Sequence, residues 1–351
     1  MGMHPVYGHE ALLDRLGSSL AIGRFPQVSL FTGPAGVGKQ RVALWVGQGL
    51  LCEGGPGAPC GSCAPCRQVR KLTHPDLHWF VPIARPKATD PSKQIGEAQE
   101  LLAAAMADRR AEPKYSSPEG MIGYPIAAIR LLHRIAGLTP YSGKRKVFVL
   151  GDADRLVVQQ ASQEAANALL KVLEEPLEDT VIILTSSRAE ALLPTIRSRL
   201  VPLRIGRVAD SAVERFIHTE MDENASGTAL QRRVLSADGS IGQVIAAGDA
   251  AGAEADAAAF LETAEAGDGG FARKAFRQQP WAARGAFTDT LDAMALSLRD
   301  RLRDATSPGN GKLRRTLEAL KKIEATRLAA QGNVNPQLAL AVLGRELEEL
   351  A

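Results

Sequence analysis

A short apolar run, Val28-Ser29-Leu30-Phe31, passes directly into Gly33-Pro34-Ala35-Gly36-Val37-Gly38-Lys39-Gln40 and then into a helical pattern. Strand, glycine loop and helix in that order match the phosphate-cradling motif. Its glycines let consecutive backbone N–H groups face phosphate oxygens, the helix N-terminus adds its dipole, and Lys39 would reach the terminal phosphates. Such a unit needs a parallel sheet around it. Candidate strands lie at Gln27–Phe31, Leu77–Val81, Lys146–Leu150, Thr180–Leu184 and Leu200–Ile205. Between them Leu12, Leu13, Leu16 and Leu20 share one helical face, as do Ile126, Ile129, Leu132 and Ile135. The alternation predicts an α/β fold, a mostly parallel sheet with helices packed on it.

The loop departs from a working nucleotide hydrolase at two positions. Such an enzyme follows the lysine with Ser or Thr, whose hydroxyl binds Mg²⁺, whereas this chain has Gln40. After the second apolar run, Val147-Phe148-Val149-Leu150, it places a metal-holding Asp and a water-activating Glu; here stand Gly151 and Asp152. Mg²⁺ bridges the β and γ phosphates and neutralises transition-state charge, so losing both protein contacts to it argues against Mg²⁺ binding and ATP hydrolysis in this chain. Two readings of Gly33, Gly36, Gly38 and Lys39 follow: a strand-to-helix connector, or a residual nucleotide site.

All four cysteines fall in one pattern, Cys52-x7-Cys60-x2-Cys63-x2-Cys66, with Gly61 and Pro65 between ligands. Two overlapping C-x2-C turns and a fourth sulfur predict a closed, structural Zn²⁺ site; reduced, unligated thiols are the alternative. The N-terminus lacks the features of a secretory signal, and no apolar run of about eighteen residues offers a membrane span, so a cytoplasmic protein without membrane contact is expected.

A chain of 351 residues exceeds one ordinary core. The expected organisation is an α/β domain over 1–207, carrying the cysteine module at 52–66 and an insertion at about 82–123. That insertion is read as partly disordered, with one short helix at Ala98–Ala107. A helical lid follows at 208–252 and a helical bundle at 253–351, where Leu313, Leu317 and Leu320, then Leu338 and Val342, keep helical spacing. Asn335-Pro336 is a cap and first-turn pair for the last helix. The six histidines show no ligand spacing, the three tryptophans read as core or helix-contact residues, and Lys144-Arg145-Lys146 reads as a solvated turn.

Several stretches resemble the AAA+ clamp-loader family of bacterial replicases. They are Pro140-Tyr141-Ser142-Gly143-Lys144-Arg145 with the strand after it, Ala165-Ala166-Asn167-Ala168-Leu169-Leu170-Lys171-Val172-Leu173-Glu174-Glu175-Pro176, and Thr195-Ile196-Arg197-Ser198-Arg199. The cysteine module, His74-Pro75-Asp76 and Asn333-Val334-Asn335-Pro336-Gln337-Leu338 are also similar. The resemblance implies an AAA+ P-loop sheet with an inserted zinc module, a helical lid and a C-terminal helical collar. In that family a Ser-Arg-Cys motif projects its arginine into a neighbour's ATP site; the matching residues are Ser198, Arg199 and Leu200, the cysteine being replaced. Motor subunits carry a lid arginine in a Gly-Ser-x-Arg context, and this chain has Gly239-Ser240-Ile241-Gly242.

With Gln40 and Gly151, that third departure points to the non-motor, delta-prime branch of the family. The implied partners are gamma/tau-type ATPase subunits and a delta subunit in a hetero-pentamer, with the beta sliding clamp and primed DNA reached through the complex. Two alternatives accompany it: a gamma/tau-type ATP-hydrolysing motor with Gln40 and Asp152 as tolerated variants, and a zinc-stabilised DNA-binding module. A net charge of +3 from 42 basic and 39 acidic residues is low for a protein that binds DNA alone by neutralising phosphates.

Overall fold

The computed structural model describes residues 2–55, 57–114, 122–142, 145–157, 163–221, 224–249, 251–267, 269–277, 284–304, 310–330 and 335–350. They fall into two compact units, Met1–Ile245 and Ala246–Ala351. In chain order the first contains α1 (Glu10–Ala21), β1 (Val28–Thr32), α2 (Lys39–Leu51), α3 (Ala64–Arg70), β2 (Leu77–Phe80), α4 (Pro91–Ala111), α5 (Ile126–Ala136) and β3 (Lys146–Leu150). It continues with α6 (Glu164–Glu174), β4 (Thr180–Ser186), α7 (Pro194–Arg197), β5 (Val201–Arg204), α8 (Asp210–Phe216), α9 (Gly227–Ala237) and the start of α10 (Ile241–Asp249).

The strands form one parallel sheet in the order β2-β3-β4-β1-β5, each where the apolar runs place it. Strands β3 and β4 are buried along their whole length, as parallel strands covered on both faces must be, while the edge strand β5 is largely exposed. The helical faces read from spacing turn inward: Leu12, Leu16 and Leu20 on α1, and Ile129 and Leu132 on α5, are buried in the core, with Leu13 and Ile135 at its margin. Each such side chain contributes about 1.5–3 kcal/mol by leaving water. This sheet with its helices, the four-cysteine cluster and the helical C-terminal region make up the AAA+ architecture that the family resemblance implies.

Two of the motif stretches prove to be one structural device. The buried carboxylate of Asp76 accepts hydrogen bonds from the backbone N–H groups of Tyr141 (2.6 Å) and Ser142 (2.8 Å) and from the Ser142 hydroxyl (3.1 Å). The backbone N–H of Asp76 in turn donates to His74 Nδ1 at 3.1 Å. His74-Pro75-Asp76 therefore anchors the turn that leads into β3. The basic run after that turn is not a uniformly solvated one, since Lys146 is only 2% exposed and pairs with Asp179 at 3.4 Å. Its ammonium also donates to the carbonyls of Ala136 and Leu138, which is how the buried charge is compensated. Arg145 is exposed, and Lys144 lies outside the described residues.

The insertion holds a longer helix than its alanine stretch suggests. Helix α4 runs 21 residues from Pro91, because the Asp90 side chain caps the backbone N–H groups of Ser92 and Lys93, and Pro91 at the first turn has no N–H to satisfy. The polar stretch Thr89-Asp90-Pro91-Ser92-Lys93 is thus a helix start. An antiparallel bridge between Ile83 and Gly123 ties the base of the insertion, while 115–121, where part of the expected disorder falls, lies outside the described residues.

Within the first unit a second apolar cluster forms from Val208, Val213, Phe216, Ile217, Leu230, Val234 and Val244. The second unit comprises α11 (Ala251–Glu265), α12 (Gly270–Arg277), α13 (Arg284–Asp304), α14 (Asn310–Ala330) and α15 (Pro336–Glu348) around Phe260, Phe287, Leu291, Met294, Ile323 and Leu343. Asn335 caps α15 as its sequence predicts, accepting from Gln337 N at 2.9 Å and Leu338 N at 3.3 Å. Leu313, Leu317, Leu338 and Val342, which keep helical spacing, are exposed. Among the described residues no helix is long and apolar enough to cross a membrane.

Replacing Asp76 by Asn turns an N–H donor toward one of the two backbone N–H groups it now serves. Asp76→Asn is expected to cost about 1–3 kcal/mol in urea unfolding; an unchanged midpoint and slope would contradict the anchoring role.

Candidate functional site

The glycine loop joins the C-terminal end of β1 to the N-terminus of α2, as the motif requires. Lys39 is buried at its base, and its ammonium donates to the carbonyls of Gly33 (3.0 Å) and Pro34 (2.6 Å) and to Ser187 Oγ (2.8 Å). Burial lowers its pKa to about 8, against the opposing pull of Asp152 and Asp154. Ser240 and Gly242, at the start of α10, lie directly on this loop. Ser240 Oγ donates to the Ala35 carbonyl at 3.0 Å, and Gly242 N to the Gly36 carbonyl at 2.9 Å. Gly36 has φ +74°, and a Cβ there would meet Ser240 Oγ at 2.2 Å, so both conformation and contact demand glycine. A Cβ on Gly242 would fall 2.6 Å from the Gly36 α-carbon. With the lid in this position, position 242 has no room for an arginine.

Gln40 and Gly151 fit each other. A Cβ on residue 151 would lie 2.3 Å from Gln40 Oε1 and 2.7 Å from its Cδ, so the glutamine amide occupies the space that any side chain at 151 would need. Gln40 Oε1 accepts from Trp79 Nε1 at 3.0 Å, and the Trp79 ring carries the Arg109 guanidinium 4.9 Å from its centroid. Tyr124, fully buried, donates to the carbonyls of Gly151 and Phe80 and fixes the backbone there. The acid after Gly151 is no free base. Burial raises the Asp152 pKa, the Asp154 charge adds to the rise, and Arg155, Lys39 and a hydrogen bond to Gln40 oppose it.

Arg199 lies at the other end of the sheet. It follows α7 and precedes β5, while Gly33 follows the last residue of β1, and the parallel pairing of Ser29–Thr32 with Val201–Arg204 separates the two positions by at least roughly 10 Å along the strands. Leu200, the residue in place of the family's cysteine, is buried in the core and anchors the chain beside the arginine. Nη1 of Arg199 donates to the Thr195 carbonyl at 2.6 Å, and Nη2 pairs with Glu174 Oε1 at 2.6 Å. The guanidinium borders an open groove of about 610 Å³, lined in part by Gln27, Leu173, Glu174, Ser198 and Val201.

The four cysteines converge. Their sulfurs all lie within 4.8 Å of one another, and Cys52 and Cys63 are 3.9 Å apart. A tetrahedral ion with thiolates at 2.3 Å has sulfur–sulfur edges of about 3.8 Å, so the cluster fits a metal ion. The helices explain the convergence: α2 ends just before Cys52, Cys63 is the N-cap of α3, and Cys66 lies in its first turn. The backbone N–H of Cys63, with Ser62, lowers the Cys60 thiol to about 6, which favours a ligating thiolate, while burial raises the Cys66 thiol. No histidine joins a metal-type group among the described residues; His9 and His133 contact backbone carbonyls, and Trp45 and Trp79 pack in the core. Trp281 lies outside the described residues.

Sequence reasoning passed over Ser187, Trp79, Tyr124 and Glu174. Only Ser187, placed just after a strand end beside the loop, carried a positional signal.

The DNA polymerase III, delta subunit family model matches residues 8–209. The delta-prime subunit of DNA polymerase III from Bacillus subtilis is 27% identical over 215 residues, which are 60% of this chain and 53% of that one. The delta-prime subunit from Pseudomonas aeruginosa is 32% identical over 194 residues, 55% of this chain and 46% of that one. The tau subunit from Escherichia coli is 26% identical over 255 residues, 72% of this chain and 33% of that one. The matches thus span about half of the two delta-prime relatives and a third of the tau relative.

If Gln40 fills the space beside Gly151, the two positions are energetically coupled. Gly151→Asp is expected to lower stability by about 1–3 kcal/mol alone and by clearly less in a Gln40→Ser background. Equal costs in both backgrounds, measured by chemical denaturation, would refute the coupling.

Proposed function

Since the chain belongs to the DNA polymerase III delta subunit family, with clamp-loader subunits of the delta-prime and tau kinds among its relatives, we propose that it is a non-motor, delta-prime-type clamp-loader subunit. In this reading it assembles with gamma/tau-type ATPase subunits and a delta subunit in a hetero-pentamer that loads the beta sliding clamp onto primed DNA. Its own loop serves as a structural junction, and Arg199 reaches a neighbouring subunit's ATP.

One observation carries the reading: the degenerate loop and the arginine occupy opposite ends of one parallel sheet. Arg199 is out of reach of its own loop, so a nucleotide phosphate that it meets is not one held by that loop. A guanidinium suits that work because it is permanently charged and forks onto two oxygens at once. Gln40 and Gly151 support the complementary half, that this chain does not supply the Mg²⁺ contacts of hydrolysis. The thiolate cluster is assigned to one structural Zn²⁺ with no open coordination position, stapling the excursion between α2 and α3.

A second reading, a gamma/tau-type motor, draws on the tau match, which covers more of this chain than either delta-prime match. It requires Gln40, whose amide oxygen accepts from Trp79 Nε1, to stand in for a Mg²⁺ ligand.

The Arg199→Ala chain should melt and assemble normally yet lower the clamp- and DNA-stimulated ATPase of the reconstituted complex. Total turnover is expected to drop by about a third to a half, since one site among several loses a contact worth on the order of 10³. Unchanged turnover would remove Arg199 from the mechanism. Metal analysis of the purified chain should return one Zn²⁺ per chain, lost in Cys63→Ser; a gently purified chain without zinc would refute the four-thiolate assignment.

A further inference from the structure

Arg199 is not free in this structure, and among the described residues the one charged group that holds it is a carboxylate. Glu174 Oε1 lies 2.6 Å from Nη2, while the Thr195 carbonyl, at 2.6 Å, and the Ser198 hydroxyl, at 3.4 Å, take Nη1. Both terminal nitrogens of the guanidinium, the pair that would fork onto two phosphate oxygens, are therefore engaged by the chain's own acceptors. The pair sits at an open groove, with the arginine side chain 33% exposed and the glutamate 47%.

The position of Glu174 makes the contact more than a chance surface pair. It is the last residue of α6, where unsatisfied carbonyls make the helix end negative and disfavour a carboxylate. Glu175 follows it directly. Among the described residues Arg199 is the cation paired with Glu174, so the carboxylate has an electrostatic reason to keep the guanidinium. Solvent screening nonetheless keeps an exposed pair weak, so a phosphate group of higher charge can displace it.

We propose that Glu174 is a positioning residue for Arg199: it stows the guanidinium at the mouth of the groove and releases it to the phosphates of a nucleotide on a neighbouring subunit. This rests on the reading of Arg199 as a residue acting in trans. Glu174 touches no reacting atom; it sets how much of the arginine's contact is spent on breaking a bond within its own chain.

The test uses the reconstituted complex with wild-type, Glu174→Gln, Arg199→Ala and doubly substituted chains. Clamp- and DNA-stimulated hydrolysis is measured across ATP concentration. Glutamine keeps the size and the accepting oxygen and removes the charge, so kcat/KM should rise roughly two- to fivefold, the range expected for loss of an exposed ion pair. In the Arg199→Ala background the same substitution should change nothing. In the isolated chain, the Arg199 guanidinium protons, assigned by their loss in Arg199→Ala, should exchange faster in Glu174→Gln by NMR. An unchanged or lowered kcat/KM in Glu174→Gln, or an equal rise without Arg199, would overturn the proposal. If Arg199→Ala leaves turnover unchanged while the Arg199 guanidinium protons of the otherwise wild-type chain still respond to Glu174→Gln, the pair exists but the trans reading beneath the proposal has failed.

Discussion

The structure turns on a fit between two residues at the end of the sheet. Gln40 extends its amide into the space that Gly151 leaves, Trp79 holds that amide in place, and Tyr124 pins the backbone beneath it. A phosphate loop without a magnesium hydroxyl could still borrow a carboxylate from the next strand, and one without the carboxylate could keep the hydroxyl. Here neither position carries such a group, and the two pack against each other. The result is a junction of strand, loop and helix in which the Gln40 amide fills the space beside Gly151. Ser240 and Gly242 close over the same loop, so the lid reinforces the junction.

A parallel sheet turns that local loss into a division of labour. Every strand C-terminus, and so the glycine loop, lies at one end, whereas Arg199 enters β5 from the other. The end where Gln40 packs against Gly151 and the end with an arginine at an open groove are separated by the length of the strands. In the proposed role, chemistry at the second end draws on a partner's phosphates, and a multisubunit assembly then uses a member whose own loop does not hydrolyse ATP. The four-cysteine cluster falls between α2 and α3, and its sulfurs are spaced to hold a metal ion.

Much of this was legible in the sequence, and the failures have physical causes. Five apolar runs gave five strands, because parallel strands buried on both faces leave little room for polar residues. Asn335-Pro336 announces its helix through the same cap chemistry that Asp90-Pro91 uses for α4, yet the second pair lies in the insertion expected to be partly disordered, where lysines and prolines surround it. Lys146 looked solvated by its neighbours in sequence, and its burial depends on carbonyls and an aspartate brought in from other segments. Leu313, Leu317, Leu338 and Val342 have the right period but lie on the outer face, since period alone does not say which stripe is covered. At the site, the losses at Gln40 and Gly151 could be read one at a time, but their mutual fit could not. Nor could the Glu174–Arg199 pair, which joins the end of one helix to the start of a distant strand.

The central claim is that this chain works through another subunit's nucleotide and not its own. ATP hydrolysis by the purified chain alone, with Mg²⁺ at saturation and with clamp and primed DNA added, tests it most directly. The account predicts no turnover above background under any of these conditions. Steady hydrolysis at the rate of a clamp-loader motor, abolished by Lys39→Ala, would contradict it.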